Sequence, residues 1–72
     1  MHIGNMIRQK LKEQGRSVTW FAQQIYCSRS NTYRIFNNPN IDTELLKRIC
    51  RILDYDFFND ISKDIHNLNK PP

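Results

Sequence analysis

Apolar side chains recur at three- or four-residue spacing along five segments of this chain, and short polar breaks separate them. This periodicity is typical of amphipathic helices, so the sequence predicts an all-α fold of five helices. The first helix is expected over about residues 3–14, because Gly15 can take the left-handed conformation that ends a helix. Its inner stripe consists of Ile3, Ile7 and Leu11, and its outer face of Arg8, Lys12 and Glu13.

Residues 17–36 contain two short helical patterns joined by a tight corner. Ser17 and Ser28 are each placed to cap a helix, because a serine oxygen accepts a hydrogen bond from the free backbone N–H groups of the first turn. The two helices are expected over about residues 18–25 and 29–36. Two helices joined in this way form a helix-turn-helix motif.

The third helix has two distinct faces. Thr32, Ile35 and Phe36 lie at i, i+3 and i+4 and form an inward stripe. The other side carries two arginines, a hydroxyl and a phenol, but no acid: Arg29, Ser30, Tyr33 and Arg34. Such a face suits a nucleic-acid groove lined with acceptors between phosphates. A solvated face on an ordinary helical domain would show the same pattern.

Two aspartates are placed to begin the remaining helices. Asp42 would cap a fourth helix after the stop formed by residues 37–40, and Asp56 would cap a fifth that contains Phe57, Phe58 and Ile61. We expect one domain over residues 1–61 and a short C-terminal tail over residues 62–72, helical at first and then disordered.

Composition limits the size and the location of the protein. A chain of 72 residues with 39% hydrophobic content has room for one small core. No apolar run approaches the roughly 18 residues of a membrane span, and the N-terminus lacks the layout of a signal peptide. We therefore expect a cytoplasmic protein with no membrane partner.

The formal net charge of +4 is unevenly distributed. Residues 1–41 carry six basic and one acidic side chain, a net charge of +5, whereas residues 42–72 carry five basic and six acidic, a net charge of −1. A basic half beside a near-neutral half favours a polyanionic partner on one side. Solubility alone is the other explanation.

No constellation suited to catalysis or metal binding is evident. Cys27 and Cys50 lack metal-ligand spacing and are expected to be small buried apolar residues, and His2 and His66 lie near opposite ends of the chain. No paired carboxylates and no nucleophile with a base are recognisable. We expect no enzyme, no cofactor, no metal and no small-molecule substrate.

Many positions resemble those of the phage repressor and Cro-type helix-turn-helix domains, also called the XRE family. The resemblance covers residues 3 to about 61 and rests on Ile3, Gly4, Ile7, Gly15, Ser17, Phe21, Ala22, Ile25, Ser28, Arg29, Ser30, Arg34, Ile35, Asn37, Pro39, Leu46, Ile49 and Leu53. It implies a five-helix, repressor-like domain that regulates transcription by binding double-stranded DNA sequence-specifically as a homodimer, with the third helix in the major groove.

The resemblance also implies roles for individual residues. Base edges would be contacted by Arg29, Ser30, Tyr33 and Arg34. Phosphates would be contacted by Ser17, Ser28, Asn37 and Asn38. Candidate dimer contacts are Phe57, Phe58, Ile61 and Ile65, although the phenylalanines could instead seal the core.

The chain departs from the family pattern at five positions. Many members have Gln at Val18, Gly at Tyr26 and an aliphatic residue at Thr32. Because a non-glycine residue in a left-handed corner costs on the order of 1 kcal/mol, we expect a differently shaped corner. Thr32 would fit if its hydroxyl bonded to a carbonyl one turn earlier. An Arg–Glu pair common in the family is replaced by Leu11 and Phe36, which we expect to touch in the core.

A protein-binding adapter or antitoxin-like module on the same fold is the alternative function. It is suggested by the lost polar positions and by three aromatic residues that could lie on the surface, Trp20, Tyr26 and Tyr33. DNA binding that weakens steeply with salt would distinguish the two functions.

Overall fold

Five α-helices form the architecture of this protein. The computed structural model describes the backbone of residues 1–69 and the side chains of residues 1–66, and this part of the chain contains no strand. The helices are α1 (Ile3–Glu13), α2 (Val18–Gln24), α3 (Arg29–Asn37), α4 (Thr43–Leu53) and α5 (Phe57–Asn69). The predicted all-α, five-helix fold is confirmed, and the first three helices end within one residue of the predicted positions.

Each helix begins at a capping side chain. The residue ahead of the helix accepts a hydrogen bond from the backbone N–H three residues later, at 2.9 to 3.1 Å. The caps are His2, Ser17, Ser28, Asp42 and Asp56. Four of them were predicted from the sequence, and each such cap typically stabilises its helix by about 1 kcal/mol.

The core joins α1, α2, α3 and α4 with the first residue of α5. Leu11 of α1 and Phe36 of α3 are both buried in it, and the expected contact between the two side chains stays a prediction. The rings of Phe21 and Phe36 stack with their centroids 5.9 Å apart. In place of an ion pair, the interior between these helices therefore contains hydrocarbon.

The backbone at the start of α1 lies directly on the backbone at the end of α3. The amide of Ile3 donates to the carbonyl of Pro39 at 3.2 Å, and the amide of Gly4 donates to that of Asn38 at 3.1 Å. A methyl group built on Gly4 would lie 2.3 Å from the carbonyl oxygen of Phe36. Only glycine permits this approach.

The corner between α2 and α3 keeps the left-handed shape that family members form with glycine, so our expectation of a different corner was wrong. Tyr26 has φ +55° and is 90% exposed. The amide of Cys27 donates to the carbonyl of Ala22 at 3.0 Å, and that of Tyr26 donates to Gln23 at 3.3 Å. These bonds satisfy carbonyls at the end of α2 and stabilise the corner against the strain at Tyr26.

Helix α5 continues without a break past residue 61 to Asn69. This helix runs across the domain boundary that was expected after residue 61. The boundary itself stays a prediction. The disorder expected at the end of the tail concerns residues 70–72, which lie outside the described part of the chain.

We predict that Gly4→Ala destabilises the protein. Helix propensity alone would favour alanine by about 1 kcal/mol. The clash with a backbone oxygen should instead lower the free energy of unfolding by about 3 kcal/mol, the upper end of typical overpacking costs. Urea unfolding followed by circular dichroism measures the change, with Asn5→Ala, an exposed neighbour on α1, as the control. A gain in stability for Gly4→Ala would contradict the proposed contact.

We also predict that Tyr26→Gly stabilises the corner. Removing the left-handed strain returns about 1–2 kcal/mol, and the greater freedom of glycine in the unfolded chain cancels about 0.4–1 kcal/mol of it. Tyr26→Ala keeps the strain and should show no such gain. Thermal unfolding of the two variants compares them directly, and a glycine variant less stable than the alanine variant would argue against strain at this position.

Candidate nucleic-acid interface

The outward face of α3 carries the four residues that were predicted to contact base edges. Arg29, Ser30, Tyr33 and Arg34 are all exposed. The ring of Tyr33 packs edge-on against that of Phe36, with centroids 5.9 Å apart and the planes at 85°. The core therefore restricts the orientation of the phenol, while the two arginines extend from an exposed helix surface.

Thr32 forms a side-chain hydrogen bond to the residue that caps this helix. Its side chain is fully buried, and its hydroxyl donates to the carbonyl of Ser28 at 2.9 Å. This is the back-bond expected from the sequence, and it lets a hydroxyl occupy a core position without an unsatisfied polar atom.

The four predicted phosphate contacts lie at helix ends. The Ser17 and Ser28 oxygens accept the capping hydrogen bonds of α2 and α3, which leaves each hydroxyl hydrogen available to donate. Asn37 and Asn38 are exposed at the other end of α3, where the Asn38 carbonyl oxygen Oδ1 accepts from the amide of Asn40 at 3.0 Å. The Asn38 side-chain NH₂ group is not engaged in that bond, so it could donate to a phosphate oxygen.

The arginines of the described residues lack carboxylate partners. Two ion pairs are present among side chains 1–66: Lys10 with Glu13 at 2.7 Å, and Lys47 with Glu44 at 3.5 Å. Neither includes an arginine. The positive charge at the candidate interface is therefore not neutralised within this part of the molecule.

Arg8, which was expected on the outer face of α1, lies instead over a ring of α3. Its guanidinium carbon is 6.0 Å from the centroid of Phe36. Gly4, Arg8 and Leu11 are spaced i, i+4 and i+7, so all three lie on the side of α1 that faces α3. The close seating of α1 at Gly4 could not be recognised from periodicity, and for that reason Arg8 was missed as a candidate.

Arg16 is a second arginine that the sequence analysis did not single out. Its guanidinium carbon lies 4.4 Å from the centroid of the Trp20 ring. The two residues are four positions apart, a spacing that could have indicated the pair. Arg16 directly precedes the capping residue Ser17, so a cation lies beside the start of α2.

A separate polar network joins α1 to the turn before α5. Lys10 lies 4.0 Å from the centroid of the Tyr55 ring, and the Tyr55 hydroxyl donates to Asp60. The hydrogen bond to Asp60 raises the pKa of the Tyr55 phenol, and the hydrogen bond to Glu13 raises the pKa of Lys10. The hydrogen bond from Lys10 lowers the pKa of Glu13. The network links Lys10 of α1 to Asp60 of α5 through the ring and hydroxyl of Tyr55.

The predicted dimer contacts differ in how much surface they offer. Phe57 is 1% exposed and packs in the core of its own chain, so it is not available to a partner in this conformation. Phe58 and Ile61 are half-buried and line a groove of about 280 Å³ together with Met1. Ile65 is 52% exposed. The predicted contact surface is therefore reduced to Phe58, Ile61 and Ile65.

The described residues offer little else that could form a site. Cys27 and Cys50 are free and only half-buried, although both pack against the core as expected of small apolar residues. Among these residues no three His, Cys, Asp or Glu side chains are grouped as metal ligands. None of the helices within residues 1–69 combines the length and the apolar character needed to cross a membrane.

Two short helices meet at a tight corner, and the second has an exposed and basic outer face, so α2 and α3 form a helix-turn-helix motif. A family model described as the Cro/C1-type HTH DNA-binding domain matches residues 6–65, most of the chain. The chain belongs to this family, and the resemblance seen in the sequence is confirmed. No curated protein and no solved structure matches the chain.

Proposed function

We propose that this protein is a sequence-specific transcriptional regulator that inserts α3 into the major groove of double-stranded DNA. The observation that carries the proposal is the outer face of α3, where Arg29 and Arg34 are exposed and have no carboxylate partner among the described residues. A helix in the major groove meets acceptor atoms on base edges, and arginine can bind guanine through two of them.

The spacing of the two arginines matches this role. Arg34 follows Arg29 by five residues, which corresponds to about 7.5 Å along the helix axis and about 140° around it. One guanidinium therefore projects near the start of the helix and the other farther along. Arg29 lies in the first turn, where a positive charge opposes the helix dipole, and an anionic partner would offset that cost.

Phosphate contacts at the two ends of α3 and at the start of α2 would orient α3 in the groove. Ser28 lies at the N-terminus of α3 and Ser17 at that of α2, where backbone N–H groups and the helix dipole favour an anion. Asn37 and Asn38 lie at the opposite end of α3. We propose that these four side chains set the register of the helix and that Arg29, Ser30, Tyr33 and Arg34 read the sequence.

Alanine substitutions test the proposed base contacts. On a duplex selected by the protein from random DNA, Arg29→Ala and Arg34→Ala should each weaken binding by about 1–3 kcal/mol and relax the preference at one base pair. Arg51→Ala is the matched control, because Arg51 is exposed on α4 beside Asp54 and Asp56. Fluorescence anisotropy measures the affinities. Unchanged affinity in both folded variants would exclude α3 as the recognition helix.

We also propose that the regulator works as a homodimer in the cytoplasm. One recognition helix makes few contacts, and two-fold pairing presents two helices to half-sites about 34 Å apart. Phe58, Ile61 and Ile65 of α5 are the proposed contacts, because they leave apolar surface beside the groove that Met1 also lines.

Light scattering tests the dimer. The wild-type protein should have twice the mass of the chain at high micromolar concentration. Ile65→Glu should be monomeric and remain folded, because this side chain is half exposed in the single chain. Ser62→Glu, an exposed substitution on the same helix that adds the same single negative charge, is the control. A wild-type monomer, with and without DNA, would contradict the proposal.

An adapter or antitoxin-like protein is the second candidate function, and Tyr26 favours it. This aromatic side chain is 90% exposed in a left-handed conformation that glycine would adopt without strain. A gel shift with mixed-sequence DNA at two salt concentrations separates the candidates. Binding that falls steeply with salt supports DNA as the partner, whereas no binding at low salt supports a protein partner.

A further inference from the structure

The ring of Phe36 connects an arginine of α1 with the outer face of α3. Phe36 is only 1% exposed, and the Arg8 guanidinium lies over it at 6.0 Å while Arg8 itself remains exposed. The same ring is contacted edge-on by Tyr33 at 5.9 Å. Arg8 is therefore part of the aromatic cluster that includes Tyr33, one of the residues proposed to read bases.

The position of Arg8 relative to α3 is set by the backbone. Gly4, one helical turn earlier, lies against the carbonyls of Ile35 and Phe36 and donates its amide to Asn38. This contact leaves α1 little freedom to slide or rotate against α3. The Arg8 guanidinium is consequently held beside the recognition helix.

The charge of Arg8 is available to a ligand. The one acidic side chain in residues 1–41 is Glu13, and it is paired with Lys10 at 2.7 Å. No described carboxylate lies within ion-pair distance of Arg8. The N–H donors of an arginine lie at the edge of its guanidinium plane, where they can bind phosphate oxygens in pairs.

We propose that Arg8 binds a DNA backbone phosphate beside α3, with its guanidinium oriented by the ring of Phe36. This proposal rests on the proposed function and adds a residue to it. Phe36 then has two roles, because it fills the core where a charged side chain would be costly and it provides the surface on which the cation rests.

The test compares Arg8→Met with Arg8→Lys. Methionine keeps an unbranched cover over Phe36 and removes the charge, whereas lysine keeps the charge. Arg51→Met, on α4 beside two aspartates, is the matched control. Affinity for a labelled mixed-sequence duplex is measured over a series of KCl concentrations, and thermal unfolding is measured in parallel.

We expect Arg8→Met to weaken binding on all sequences alike and to reduce the salt slope by about 0.9, the value for one lost phosphate contact. Arg8→Lys and Arg51→Met should keep the wild-type slope. If Arg8→Met does not fold, Arg8→Gln provides a second uncharged side chain for the same measurement.

Two results would overturn the inference while leaving the proposed function intact. One is a wild-type salt slope in folded Arg8→Met or Arg8→Gln. The other is a variant whose melting temperature falls while its DNA binding is unchanged, which would show that Arg8 only covers the core. A wild-type protein that does not bind the duplex at low salt would overturn the proposed function as well, and that result is obtained before any variant is compared.

Discussion

The arrangement of this domain depends on direct backbone contact between the start of α1 and the end of α3. The first amides of a helix have no partner inside it, and here those of Ile3 and Gly4 donate to the carbonyls of Pro39 and Asn38. The same hydrogen bonds give the first amides of α1 their acceptors and fix the chain where it leaves α3. Because Gly4 has no side chain, the two backbones meet without a spacer, so the outer face of α3 has a defined position relative to α1.

Apolar packing and the basic surface are linked through this junction. Many family members have an arginine and a glutamate where this chain has Leu11 and Phe36, and a small core gains from hydrocarbon at such positions because buried charges must lose their hydration. A positive charge is nevertheless present in this region. Arg8, one helical turn before Leu11, lies over the ring of Phe36. The chain therefore combines an apolar interior at Leu11 and Phe36 with a cation next to α3.

The network around Tyr55 lies between α1 and the turn before α5. Lys10 interacts there with Glu13 and with the ring of Tyr55, whose hydroxyl donates to Asp60. Within the described residues, Glu13 and Glu44 are paired with lysines and Asp60 accepts from a phenol, while the arginines have no such partner. The basic character around α3 follows from the distribution of charge along the chain, because Glu13 is the one acidic side chain among residues 1–41.

Where the helices begin and which side of α3 faces outward can be predicted from the sequence alone, because capping and helical periodicity are local properties. The caps at Ser17 and Ser28 and the back-bond of Thr32 were predictable for that reason. The close approach at Gly4 and the placement of Arg8 follow from the packing of the fold. Both depend on the distance between α1 and α3, whose contacting residues Gly4 and Phe36 are 32 positions apart in the chain, and a periodic pattern contains no information about distances between helices.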